Sequence, residues 1–205
     1  MSEYPYQDVG TACSHAYLKQ PVADFLASAP RNARVLDLGC GNGATLGRLR
    51  GRDLELHGID SSESGIRIAN SAYPDVSFTV GDVSGDLHST HAPNSFDFVI
   101  CTEVVEHVYN PRGLLRNAFR VLKPAGRLLI STPYHGWLKN SLLAVTGKLD
   151  GHFTALWDHG HIKFWSRRTL AHLLQEAGFV ELEFLGVGRI PYLWKSMIFR
   201  TRRPR

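Results

Sequence analysis

The stretch Val35-Leu36-Asp37-Leu38-Gly39-Cys40-Gly41-Asn42-Gly43 decides the fold. Residues 34–38 form a short apolar run ending in an acid and read as a strand covered on both faces, the pattern of a parallel sheet. Three glycines follow at alternate positions, and 43–51 then reads as a helix. Glycine permits φ > 0 and lets a ligand approach the backbone closely. Gly39, Gly41 and Gly43 therefore mark a ligand loop at a strand's end. A glycine triad alone is shared with dinucleotide enzymes. Those sites prefer G-x-G-x-x-G followed by an acid, whereas here the order is D-x-G-x-G-x-G, with Asp37 ahead of the glycines. Asp60 closes the next strand, where an acid can accept both hydroxyls of a ribose.

Outward from this loop, strand-like and helix-like segments alternate, which predicts a mostly parallel sheet with helices on both faces. Helices are expected over 17–28, 111–122, 137–149 and 166–177. Strands are expected over 54–59, 76–80, 96–101, 127–131, 179–187 and 197–203. Ser61 or Ser62 can cap a helix after the second strand, Pro111 suits a first helical turn, and 123–126 reads as a turn. The whole chain, 1–205, is read as a single α/β domain, Rossmann-like, with a lid or substrate insertion at about 133–165.

Composition sets the outer bounds. The chain has 205 residues, enough to bury a core without disulfide staples. Cys13, Cys40 and Cys101 are far apart and offer neither a disulfide framework nor a zinc knuckle, so a reducing, cytoplasmic compartment is expected. The N-terminus lacks the pattern of a signal peptide, and no apolar run approaches the roughly 18 residues of a membrane span. Peripheral membrane contact is not thereby excluded. The net charge is +4, and Lys195, Arg200, Arg202, Arg203 and Arg205 lie near the end with no acid among them. That run reads as a solvated end, with phosphate contact as the rival reading.

The segments VLDLGCGNG, GID, GDV, FDFVICTEVVEHV and LKPAGRLLIS together resemble the successive motifs of class I S-adenosylmethionine-dependent methyltransferases. The resemblance covers about residues 15–190 and implies a seven-stranded sheet whose last strand is antiparallel. By that resemblance Gly39, Gly41 and Gly43 line the methionine and ribose part of the cofactor, Asp37 organises the loop, and Asp60 holds the ribose. Asp82 reaches the adenine amino group with Val83 packed on the ring, and Cys101 and Thr102 sit beside the methionine end. Each has a plainer reading: Asp82 as a turn residue, Cys101 as a small buried hydrophobe. Nothing near Cys101 lowers its pKa, so a nucleophilic role is not expected.

Glu103-Val104-Val105-Glu106-His107 follows the fourth strand. On a helix, Glu103, Glu106 and His107 would share one face and form a candidate divalent-cation site, with Mg²⁺, Mn²⁺ or Zn²⁺ as the ion. The insertion can add a histidine from His152, His159 and His161. These segments resemble two methyltransferase branches, the ubiquinone-biosynthesis O-methyltransferases and the small-RNA 3′-terminal 2′-O-methyltransferases. The resemblance implies Glu103, Glu106, His107 and His161 as metal ligands. A metal lowers the pKa of a coordinated hydroxyl; without one, His107 or His161 serves as general base. The plain alternative is a histidine that caps a helix or sits in the core.

Tyr134, Trp157 and Trp165 are candidates for an aromatic substrate wall, with plain core as the alternative, and His159 is a further substrate candidate. Residues 133–149 join Trp137, Leu138, Leu142, Leu143 and Val145 to Lys139 and Lys148, which suits a lid or a membrane-surface helix. The expected activity is O-methylation of a small molecule with adjacent hydroxyls, a catechol or vicinal diol, lipidic or aromatic. The alternatives are RNA 3′-end methylation and a non-catalytic cofactor-binding domain. The short chain and the lack of an added RNA-binding domain count against RNA. An arginine that the quinone branch often carries near the N-terminus is absent before Arg31.

Overall fold

The central strand β1 (Ala33–Leu38) is buried along nearly its whole length. Its side chains alternate between two apolar clusters, as strand geometry requires. Leu36 and Leu38 enter one cluster and Val35 the other. The computed structural model describes residues 6–8, 10, 15–87, 91–153, 155–158 and 160–205. Around β1 lie β2 (Leu54–Asp60), β3 (Ser77–Val80), β4 (Phe96–Thr102), β5 (Leu122–Pro133), β6 (Val180–Val187) and β7 (Ser196–Arg202). The sheet order is β3-β2-β1-β4-β5-β7-β6. β7 is antiparallel to both neighbours and the other pairings are parallel. This is the expected seven-stranded Rossmann-like sheet with an antiparallel last strand.

Helices cover both faces. α1 (His15–Phe25) and α2 (Ala44–Gly47) close one cluster through Leu18, Val22, Phe25 and Leu46. α4 (Pro111–Val121) and α7 (Arg167–Glu176) close the other through Leu114, Leu115, Leu170 and Leu174. α3 (Glu63–Ala72) starts where Ser62 accepts a hydrogen bond from the Gly65 N–H. In α4, Asn110 caps and Pro111 occupies the first turn.

Three local expectations are corrected. The helix read over 43–51 is one turn long, and the chain continues in tight turns through Gly51 at φ 78°. Its glycines hold a helix poorly. The helix read over 137–149 divides into α5 (Trp137–Val145) and α6 (Leu149–Phe153). Gly147 at φ 67° and Lys148 donate back to Ala144 and Leu143, a Schellman stop that needs a residue tolerant of the left-handed region. The turn at 123–126 lies within β5 as an outward bulge: pairing with β4 steps from Phe96–Leu122 to Phe98–Arg127, with Ala125 at φ 65°.

The basic C-terminal run is no loose tail. Arg200 and Arg202 lie in β7, and Arg202 pairs with Glu181. Arg203 donates to the carbonyls of Phe119 and Leu122. No helix among the described residues is long and apolar enough to cross a membrane.

The connection leaving β3 is tied to α4 by buried Asn117, whose amide donates to the carbonyls of Val83 (2.9 Å) and Gly85 (2.7 Å). Asn117→Ala strands two carbonyls and should cost about 2 kcal/mol of stability. Urea unfolding with an unchanged m-value measures this; a loss below about 0.5 kcal/mol would show that the connection holds its shape without the amide.

Candidate active site

β1 and β4 are neighbours whose onward connections run to opposite sides of the sheet. A crevice forms outside the strand ends at such a switch point. The glycine loop leaves β1 there, and the turn 103–107 leaves β4.

The loop fits a ligand that approaches the backbone. Gly39, Gly41 and Gly43 have φ of 83°, 54° and 76°, all in the left-handed region. A Cβ would strike Val104 at Gly39, Tyr6 at Gly41 and Phe78 at Gly43. The Asp60 carboxylate accepts from the Gly41 N–H (2.9 Å) and the Ser62 N–H (2.8 Å), which fixes the loop against the end of β2. Burial raises the Asp60 pKa while these donors hold it down. Asp37 is buried, and its Oδ1 has no hydrogen-bond partner. Burial, reinforced by the charge of Asp60, pushes its pKa up to about 8. Three left-handed glycines and two largely buried acids suit a ligand bearing hydroxyls and a cationic group.

Two features of the loop lay beyond the sequence reading. Asn42 donates to the carbonyls of Asp8 (2.8 Å) and Gly10 (2.9 Å), and the Tyr6 N–H donates to Ser64 Oγ (3.3 Å). The N-terminal segment thus lies across the glycine loop. Only the Asn within G-C-G-N-G signalled this, and its partners are more than thirty positions away.

The remaining cofactor residues divide. Asp82 is exposed and its Oδ1 accepts from Ser84 N–H and Oγ, the turn role. Val83 is part of the core cluster. Cys101 is 1% exposed within the same cluster, and burial raises its thiol pKa well above the usual value. It is a small buried hydrophobe.

The helix expected over 103–107 does not form. These residues make a turn with Glu103 at φ 56°, so the shared helical face of Glu103, Glu106 and His107 is replaced by another arrangement. Glu106, His107 and His161 each present a donor atom within 4.8 Å of the others. Glu103 stands outside that trio because Ser131 (2.7 Å) and Ser196 (3.0 Å) donate to its two oxygens. Burial raises Glu103 to about 7. Burial, then the nearby Glu103 charge, holds Glu106 well above the usual carboxylate range.

His161 reaches this turn through the backbone. Ile162 and Lys163 N–H groups both donate to the Glu106 carbonyl at 3.0 Å, and Trp165 Nε1 donates to the Val105 carbonyl at 3.3 Å. Thr132 Oγ1 donates to Glu106 Oε2 at 2.9 Å, while Glu106 Oε1 is buried without a partner among the described residues. One carboxylate oxygen and two imidazoles, one oxygen unsatisfied, form a donor set that fits a divalent cation. Burial and His107 lower the His161 pKa to about 4, so its ring is neutral near pH 7 and can accept a proton or a metal bond.

Trp157 stands at this trio, its ring centroid 6.1 Å from His107 and 6.0 Å from His161. Tyr134 does not share that wall. Its ring is buried in the core against Trp194 at 5.1 Å. His159 lies outside the described residues.

The Methyltransferase domain family matches residues 14–183. The chain belongs to that family and is an S-adenosylmethionine-dependent methyltransferase. It is 32% identical over 161 residues to the ubiquinone biosynthesis O-methyltransferase of Thiobacillus denitrificans, covering 75% of this chain and 67% of the relative. The cyclase SpnF superposes with a TM-score of 0.74 at 18% identity, covering 98% of this chain and 86% of SpnF. Phosphoethanolamine N-methyltransferase 2 of Haemonchus contortus, solved with S-adenosylmethionine, gives 0.68 at 18% identity, covering 91% of this chain and 53% of that one. At these identities the two structures show the fold alone.

A carboxyl with a raised folded-state pKa holds its proton more tightly in the folded chain than in the unfolded one. Stability then falls as pH rises from the unfolded value through the folded one. For Asp37 that window runs from 3.8 to about 8. The ligand-free protein should melt at progressively lower temperature across it, and Asp37→Asn should flatten the slope. An unchanged slope in that variant would place the titration elsewhere.

Proposed function

We propose that this methyltransferase transfers the methyl group to a hydroxyl of a small molecule with adjacent hydroxyls, a catechol or vicinal diol, with assistance from a divalent metal, Mg²⁺, Mn²⁺ or Zn²⁺. The observation that carries the metal is the buried, unpartnered Glu106 Oε1 beside His107 and His161. The relative named for ubiquinone biosynthesis O-methylation supports an aromatic, lipidic acceptor.

When bound, S-adenosylmethionine supplies an electrophilic methyl group on its sulfonium. A divalent ion supplies a lowered pKa to a coordinated hydroxyl and fixes its direction. The chain does the rest. Gly39, Gly41 and Gly43 admit the cofactor against the backbone, Asp60 accepts its ribose hydroxyls, and Asp37 holds the loop. Asp82 and Val83 are proposed at the adenine, and Cys101 forms the apolar floor at the methionine end. Glu106, His107 and His161 hold the ion, with Glu103 keeping a second carboxylate close by. Trp157 walls the acceptor and excludes water. In the absence of metal, neutral His161 or His107 takes the hydroxyl proton.

Trp137, Val145, Leu156, Ile190 and Tyr192 are exposed apolar side chains in or beside the insertion. They support peripheral membrane contact by a cytoplasmic enzyme that collects a lipidic acceptor. RNA 3′-end methylation uses the same Glu106, His107 and His161 donors. It predicts RNA binding that weakens steeply with salt, whereas the small-molecule reading predicts weak, salt-insensitive binding.

The test is calorimetric titration of S-adenosylhomocysteine into metal-stripped protein, then of Mg²⁺, Mn²⁺ and Zn²⁺ into the complex. Cofactor binding followed by a saturable metal step is expected. Glu106→Gln should keep cofactor binding, lose the metal step and lose about a hundredfold or more in methyl transfer. Full activity in that variant would overturn the metal role.

A further inference from the structure

The insertion and the β6–β7 loop border an open cavity of about 930 Å³ alongside α5. Its basic lining comes from Lys139, Lys148, His152, Arg189 and Lys195, contributed by α5 and its Schellman turn, α6 and the β6–β7 loop. No acidic residue is among the described residues that line it. Some bases elsewhere are matched with acids: Arg50 with Asp75, Arg112 with Glu176, Arg202 with Glu181. Lys139, Lys148, Arg189 and Lys195 have no such ion pair among the described residues.

Two of the lining groups are poorly satisfied. Lys139 is only 8% exposed, and its ammonium donates to a single acceptor, the Tyr134 carbonyl at 2.9 Å. An ammonium carries three donors. His152 Nε2 is buried with no partner. Burial first, then the Arg189 charge, lowers the Lys139 pKa to about 8. Like charges gathered around one cavity repel, and Glu103 offsets part of the charge of Lys139 alone. Leu142, Leu143 and Leu193 line the same space, so it also offers apolar surface. The cavity lies near the candidate active site: His152 packs on His135 with ring centroids 5.3 Å apart, the His135 N–H donates to the Trp165 carbonyl at 3.1 Å, and Trp165 Nε1 donates to the Val105 carbonyl in the 103–107 turn.

From this placement we infer that the cavity is a subsite for an amphiphilic acceptor. It takes an oxyanion, a phosphate ester or carboxylate, joined to an apolar body. The acceptor's hydroxyl then reaches Glu106, His107 and His161 next door, and that connection rests on the function proposed above.

The test uses the full chain and direct binding, with no turnover needed. Octyl phosphate, octanoate, octanol and inorganic phosphate are titrated as monomers, and flotation with phosphatidylcholine vesicles, with and without phosphatidylglycerol, runs in parallel. Octyl phosphate or octanoate should bind about tenfold or more tighter than octanol and than inorganic phosphate. Lys148→Ala and Arg189→Ala, both at exposed positions, should each weaken it about tenfold while S-adenosylhomocysteine affinity stays unchanged. Octanol binding as well as either anionic probe, or a double variant that binds them unchanged, would overturn the subsite. So would retention on phosphatidylglycerol vesicles through Lys148 and Arg189 with no binding of the monomeric anions, because the charges would then face a lipid surface. Absence of the metal step with octyl phosphate binding intact would count against the proposed metal-assisted methyl transfer alone.

Discussion

Buried carboxylates at the ends of β1 and β4 are the constraint on which the rest of this structure depends. Asp37, Glu103 and Glu106 are withdrawn from water within a few residues of one another's strands. An ionised carboxylate taken from water costs several kcal/mol unless hydrogen bonds or an opposite charge offset it. The chain offsets part of this with hydroxyls: Ser131 and Ser196 on Glu103, Thr132 on Glu106. These hydroxyls come from β5 and β7, so the two strands on the far side of β4 satisfy the acids of the site. What remains, Asp37 Oδ1 and Glu106 Oε1, is buried without a hydrogen-bond partner among the described residues.

The insertion meets this arrangement through the backbone. Ile162 and Lys163 share the Glu106 carbonyl, and Trp165 takes that of Val105. A segment more than fifty residues downstream is thereby hydrogen-bonded onto the turn after β4, and His161 is carried to His107, with ring centroids 4.9 Å apart. The same insertion bounds the basic cavity, so one stretch of chain shapes both the reacting centre and the space beside it. The SpnF structure shares this fold under the name of a cyclase. The sheet is thus a platform, and the fold alone does not fix the chemistry it carries.

Much of this was legible in the sequence for a physical reason. A parallel strand buried on both faces is apolar along most of its length, so 34–38, polar only at Arg34 and Asp37, and 96–101, polar only at Asp97, identify themselves, and the alternation with amphipathic helices implies the doubly covered sheet. Glycines needed at positive φ leave a fixed spacing, so Gly39, Gly41 and Gly43 were readable. Ser62, one of the two serines read as caps, does cap the helix it precedes, because caps are local interactions. Helix lengths were less legible. Residues 43–51 and 137–149 have helical periodicity, but Gly51 and Gly147 take left-handed conformations that end the runs.

The sequence by itself determined the sheet, the ligand loop and the residue types of the site, because each follows from periodicity or from short-range backbone demands. Tertiary structure alone decided which residues meet. It removed Glu103 from the histidine pair by giving its oxygens to Ser131 and Ser196, partners 28 and 93 positions away. It withdrew the Tyr134 ring into the core against Trp194 and left Trp157 at the histidines. It also gathered bases from three elements around one cavity without an acid. Such contacts depend on strand order and loop docking, which join distant residues through packing and hydrogen bonds that leave no periodic trace in the chain.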